Sequence, residues 1–263
     1  MRTNTRPLLF LALVAGLSVP FIALGGLRDG IGIGAMRLPA SAVMVVLPGL
    51  VAAGLMWRDG GTTAVTALVR RVVDSPPARL RWYAITAGLF PLSSLLAALI
   101  TSWATDAPSG LPLSLVAAPV LVAVFTLAAV CEELGWTAYA TDPMIERFGV
   151  VGAGVALGMF WAVWHLIPLA QAGHSLGWMV GWFVNTVAAR VVIVAVYNRS
   201  GGAVGTAVVA HAMINLSNAY SPALDSAAFL GSLAVLTTGA AVAVSLFPRH
   251  GLLCDSHGGL RRK

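Results

Sequence analysis

Two adjacent carboxylates, Glu132 and Glu133, two histidines, His165 and His211, and one amide, Asn215, stand inside strongly apolar stretches of this chain. Groups so costly to hold in lipid usually have a task there. A carboxylate and an imidazole in a dry pocket can take a proton from a reacting water, and preset donors can meet a developing oxyanion. The same set admits a second chemistry. Glu132, His165 and His211 could hold a divalent metal such as zinc and leave one position open for water, although a His-Glu-x-x-His run is absent. Cys131 adjoins Glu132, but one step along a helix turns a side chain by about 100°, which aims the thiol elsewhere.

Spacing supports a common site. His211 and Asn215 are four residues apart, as are Trp161 and His165, and Glu132 and Trp136, so each pair shares one helix face. Glu133 is rotated by about 100° from Glu132, so one carboxylate suits chemistry and the other structure. Depth agrees. At 1.5 Å per residue Glu132 lies roughly 12 Å from the end of its span, His165 roughly 22 Å from the start of the next, and His211 and Asn215 roughly 13 and 20 Å into theirs. All fall inside a hydrocarbon core about 30 Å thick.

The elements that must position them are membrane helices. Of 263 residues 58% are hydrophobic and 10% charged, with a mean hydropathy of +0.86. The chain is expected to be an all-α polytopic membrane bundle with about eight spans: Pro7 to Gly25, Leu38 to Trp57, Trp82 to Trp103, Leu113 to Tyr139, Val150 to Leu169, Leu176 to Tyr197, Gly202 to Tyr220, and Ala227 to Phe247. The fourth is long for one crossing and should tilt, kink or project. The first, preceded by Arg2 and Arg6, is read as a retained anchor rather than a signal peptide.

Basic residues set the orientation. With both ends in the cytoplasm, that side receives Arg2, Arg6, Arg58, Arg70, Arg71, Arg79, Arg81, Arg147, Arg199, Arg249, Arg261, Arg262 and Lys263, and the other receives Arg28 and Arg37. The net charge of +6 is then a matter of topology and lipid headgroups, and no nucleic-acid motif is present. Cys131 and Cys254 are too differently placed to pair and are read as free thiols. The tail residues His250, Cys254 and His257 read as a solvated end rather than a metal site. His174 reads as a loop residue.

Three segments carry a family resemblance. Glu132-Glu133-Leu134-Gly135-Trp136-Thr137-Ala138-Tyr139, Trp161-Ala162-Val163-Trp164-His165-Leu166-Ile167-Pro168 and His211-Ala212-Met213-Ile214-Asn215-Leu216 resemble, in order and spacing, the three motifs of the CAAX protease and bacteriocin-processing (CPBP, or Abi) family of intramembrane proteases. The turn Tyr197-Asn198-Arg199-Ser200-Gly201-Gly202 fits as well. The likeness covers roughly residues 113 to 220, giving N-terminal helices and a basic loop over 1–112, a catalytic core over 113–220, and a last helix with a basic tail over 221–263.

The resemblance implies that Glu132 with His165 activates a water that attacks a peptide carbonyl, while His211 and Asn215 stabilise the oxyanion. Family members have also been described as metalloproteases, so either no cofactor or a metal on Glu132, His165 and His211 is expected. Two positions depart from the pattern. The family's usual Arg five residues after the first Glu is Thr137, and Arg190, inside the sixth span, is the candidate partner for Glu133. The family's Phe four residues before the first His is Trp161. The expected activity is endoproteolysis of a peptide or membrane-anchored protein at the cell membrane, in peptide processing or bacteriocin immunity. A transporter or a catalytically weakened scaffold is the alternative, since a lone intramembrane His or Asn also serves as a helix-to-helix hydrogen-bonding group. One Lys beside fifteen Arg, with heavy Ala, Gly and Val use, suggests a GC-rich bacterial genome, for which a prenylated CAAX substrate is not expected.

Overall fold

A computed structural model describes residues 6–27, 30–73, 80–105 and 112–246. Arg2, Arg28, Arg79, Arg249, Arg261, Arg262, Lys263 and the tail residues His250, Cys254 and His257 lie outside the described residues.

The chain is an all-α polytopic membrane bundle. Its helices are α1 (Pro7–Gly25), α2 (Leu47–Val73), α3 (Leu80–Ala104), α4 (Ala118–Glu133), α5 (Asp142–Gln171), α6 (Leu176–Arg199), α7 (Val204–Tyr220) and α8 (Ala227–Leu246). Among the described residues six helical stretches are long and apolar enough to cross a membrane, where eight spans were expected. Two features account for the difference. Residues Leu115–Gln171 run as one helical stretch of 57 residues, about 86 Å if straight and far longer than a bilayer core is thick. It turns at Gly149, whose φ of +71° is a backbone conformation that favours glycine. Helix α7 has only 17 residues, just under the length that a crossing ordinarily takes.

Helix α2 also outruns its expected end at Trp57. It continues to Val73 through a bend at Gly60 and Gly61, the latter at φ +63°. What had been assigned to a basic loop is therefore partly helix. A hairpin of β1 (Ile31–Ile33) and β2 (Met36–Leu38) follows α1, with Ile31 opposite Leu38 and Ile33 opposite Met36. Apolar alternation over three residues is too short to announce a strand in so apolar a chain.

The helix ends divide between two faces. On one, the hairpin meets the end of α7 and the loop after it: Ala35 N–H donates to Ala219 O at 3.2 Å, and Arg37 approaches Asp225 at 3.8 Å. On the other, which carries the N-terminus, Arg71 Nη2 pairs with Asp142 Oδ2 at 2.8 Å, Arg71 also donates to Ala138 O and Tyr197 OH, and Tyr197 OH donates to Asp142 Oδ1 at 2.7 Å. This cluster bolts α2, α5 and α6 together below the buried polar groups.

Candidate active site

The glutamates close α4, and the eight residues after them, Leu134–Thr141, form a π-helical segment rather than a continuation of the α-helix. Such widened turns cluster at functional sites because they leave carbonyls for other donors. Here Thr141 Oγ donates to Trp136 O at 2.8 Å, five residues back, and Arg71 satisfies Ala138 O. Close packing holds the segment. A Cβ on Gly135 would lie 2.6 Å from Pro48 O, and one on Gly49 would lie 2.5 Å from Cys131 O, so α2 and α4 touch backbone to backbone on either side of the glutamates.

The two carboxylates have different surroundings. Glu133 is fully buried and saturated. Its Oε2 accepts from Arg190 Nη1 at 2.8 Å and from Thr137 Oγ, and its Oε1 accepts from Arg190 Nη2 at 3.0 Å and from His211 Nδ1 at 2.9 Å. Arg190 is equally buried and lies over the Trp161 ring, its Cζ 4.3 Å from the ring centroid. The bidentate fork, the indole face beneath it and the hydroxyl together offset the cost of burying two charges. The expected pairing of Arg190 with Glu133 is thus the geometry observed.

Glu132 is held by one oxygen only. Its Oε2 accepts from the indole N–H groups of Trp136 and Trp161, each at 3.0 Å. Its Oε1 faces His211 Nε2 across 3.7 Å, too far for a direct hydrogen bond and close enough for one water to touch both. Because Glu133 receives the Nδ1–H of His211, the Nε2 edge of that ring is the one turned toward Glu132. His165 is fixed in the same way. Its Nδ1 lies 2.9 Å from the carbonyl of Trp161, which can only accept, so the proton is on Nδ1 and Nε2 is left free.

Glu132, His165, His211 and Asn215 all line one cavity of about 260 Å³. Indoles form its walls: the Trp161 ring stands 4.9 Å from that of His211, and Trp164 and Trp182 lie 4.8 and 5.4 Å from that of His165. Of the five candidate residues, four therefore meet at the cavity, and Glu133 stands behind His211. Asn185 of α6, buried and lining the same space, was not anticipated. Its signal was an amide in an otherwise apolar run, five residues before Arg190. Among the described residues, no three His, Cys, Asp or Glu side chains converge closely enough to hold a metal ion.

Sequence comparison agrees with these motifs. Residues 113–217 match the model of the Type II CAAX prenyl endopeptidase Rce1-like family. Over this stretch the chain is similar to that family of membrane proteases. A CAAX prenyl protease 2 of Methanococcus maripaludis is 29% identical over 108 residues, which are 38% of this chain and 39% of that protein. The chain thus spans about two-fifths of the length of the curated relative it matches. The CPBP pattern usually carries Arg at the position of Thr137. Here the threonine hydroxyl still bonds Glu133, while the guanidinium comes from Arg190 on another helix.

Proposed function

We propose that this protein is an intramembrane endopeptidase that hydrolyses a peptide bond with a water held by Glu132 and His165. The observation that supports it best is the unequal treatment of the two glutamates. Glu133 has both oxygens engaged, whereas Glu132 turns Oε1 toward the Nε2 edge of His211 in a cavity that His165 also lines. The likeness of residues 113–217 to a family of CAAX prenyl endopeptidases is consistent with it.

In this mechanism the water oxygen forms a bond to the carbonyl carbon while its proton passes to Glu132 or to Nε2 of His165. The carbonyl oxygen becomes an oxyanion, which takes hydrogen bonds from the Asn215 amide and, when His211 carries both protons, from its Nε2–H. Collapse breaks the C–N bond, and the stored proton goes to the leaving amine. The indole walls exclude bulk water, which strengthens each of these interactions. Glu133 and Arg190 act as positioning residues by fixing the His211 ring.

The test is hydrolysis of a fluorogenic peptide library by detergent-purified protein, wild type beside Glu132→Gln, with and without a strong chelator. Cleavage that is lost in the variant and kept in chelator supports the proposal. Cleavage lost in chelator overturns the metal-free mechanism, and no cleavage by folded wild-type protein favours a scaffold.

A further inference from the structure

The polar groups in and behind the cavity differ in what already bonds them. Glu132 Oε2 is held by two indoles, Glu133 by Arg190, Thr137 and His211, and the Nδ1 edge of His165 by a carbonyl of its own helix. Asn185 is treated otherwise. It is 7% exposed and lines the cavity, yet among the described residues its carboxamide has no hydrogen-bond partner. Hydroxyls elsewhere in the bundle bond back to their own helix, as Thr86 does to Trp82 O at 3.0 Å and Thr101 to Ala97 O at 2.8 Å. A buried amide is costly to leave unpaired, so one that lines a cavity is a place for a ligand.

The height of Asn185 along α6 is fixed from both sides. Trp182, three residues before it, stands 5.4 Å from the His165 ring, and Arg190, five residues after it, grips the carboxylate that orients His211. At 1.5 Å per residue Asn185 lies about 4.5 Å along the axis from the first and about 7.5 Å from the second, at the height of the reacting groups. Trp178, Trp182, Asn185, Thr186 and Ala189 all line the cavity, so one face of α6 forms its wall. The proposed reaction uses Oε1 of Glu132, the Nε2 edges of both histidines and the amide of Asn215. Asn185 is the buried amide left over, in a wall otherwise made of two indoles, a methyl and a hydroxyl. A peptide drawn into such a space gives up the water on its N–H and C=O groups. A carboxamide, with an acceptor oxygen and two N–H donors, can replace that water whatever side chains the peptide carries. We infer that Asn185 is a substrate-binding residue whose carboxamide hydrogen-bonds a main-chain amide beside the bond that is cut, orienting the peptide across Glu132 and His165. This inference rests on the protease reading.

The experiment measures binding apart from cleavage. Glu132→Gln protein in detergent is titrated with an acetylated and amidated hexapeptide of alanine and valine that carries a terminal nitrotyrosine. Saturable quenching of tryptophan fluorescence, displaced by the unlabelled peptide, gives Kd. Each peptide bond is then replaced in turn by an ester, which removes the N–H and weakens the carbonyl. One ester position is expected to weaken binding by about 2- to 10-fold more than the others. When Asn185→Leu is added, that penalty should vanish while the others persist. Leucine fills a similar volume without an amide, and Asn185→Ala takes its place if the leucine variant folds poorly. Equal ester penalties with and without the amide overturn the inference, as does a lack of saturable quenching. Wild-type protein that cleaves neither this peptide nor the fluorogenic library sinks the protease reading, while the ester series still decides whether Asn185 binds a peptide amide.

Discussion

Arg190 and Glu133 meet through two parallel hydrogen bonds of 2.8 and 3.0 Å, and neither side chain has any exposed surface. The same carboxylate fixes His211. Removing one partner of such a pair leaves a charge buried without compensation. Arg190→Gln is predicted to destabilise the fold by about 3–5 kcal/mol, and Arg190→Lys to recover little of it because an ammonium cannot reproduce the fork. Thermal unfolding in detergent reads this directly, and an unchanged melting temperature would exclude a supporting role for the pair.

Glu132→Gln is nearly isosteric and keeps an acceptor for the two indoles, but it cannot take a proton from water. A loss of about 10²–10⁴ in kcat is expected, with little change in melting temperature. Trp161→Phe removes one of the two donors to Oε2 and puts a smaller, less electron-rich ring beneath Arg190, so it should lower both activity and stability. If Glu132→Gln cleaved at the wild-type rate, the assignment of the reacting carboxylate would be wrong.

Gly135→Ala tests the close contact between the π-helical segment and α2. The added methyl would meet both the carbonyl oxygen and the Cβ of Pro48 at 2.6 to 2.7 Å. Because backbone must shift to admit it, the change is expected to cost about 1–3 kcal/mol, as overpacking does. Unfolding of the purified variant measures it, and Gly16→Ala, where nothing lies within 4 Å, is the control.

His174 lies in the loop between α5 and α6, stacked on Trp178 at 3.6 Å and 4.0 Å from Asp225. Burial holds its imidazole below the ordinary value of 6.5; the nearby Asp225 opposes this and Arg37 adds to it. The folded protein therefore binds this proton less readily than the unfolded chain does. Stability should rise with pH through the region below about 6.5 and fall as the pH drops through it. Comparing melting temperatures of wild type and His174→Gln from pH 5 to 8 isolates the effect: the variant should lose part of the acid-side slope.

The polar groups were legible because each breaks an apolar run, and depth and spacing sufficed to bring Glu132, His165, His211 and Asn215 to one cavity. The partnership of Arg190 with Glu133 could also be foreseen, since a guanidinium in lipid must find a carboxylate. The i to i+4 spacing of Glu132 and Trp136 placed them on one helix face, where the structure adds an indole hydrogen bond that spacing alone did not specify. Other relations depend on tertiary contacts that local pattern does not encode. That Glu133 would orient His211, that Asn185 would line the cavity, and that α2 would run on to Val73 each required knowing which helices lie side by side. The π-helical segment left no mark either, because its residues are as apolar as those of an ordinary span.

The widened turn also limits how this chain can vary in length. A π-helical stretch holds more residues per turn than the α-helix on either side, and it is commonly treated as a place where a residue has been accommodated. Deleting one residue between 134 and 141 would let the stretch relax to ordinary α-helical winding. The carbonyls of Trp136 and Ala138 would then be taken up by intrahelical N–H groups, and Thr141 and Arg71 would lose the acceptors that tie the segment to itself and to α2. Insertions and deletions should therefore be tolerated in the loops of this protein and selected against in these eight residues, even though none of them carries a charge.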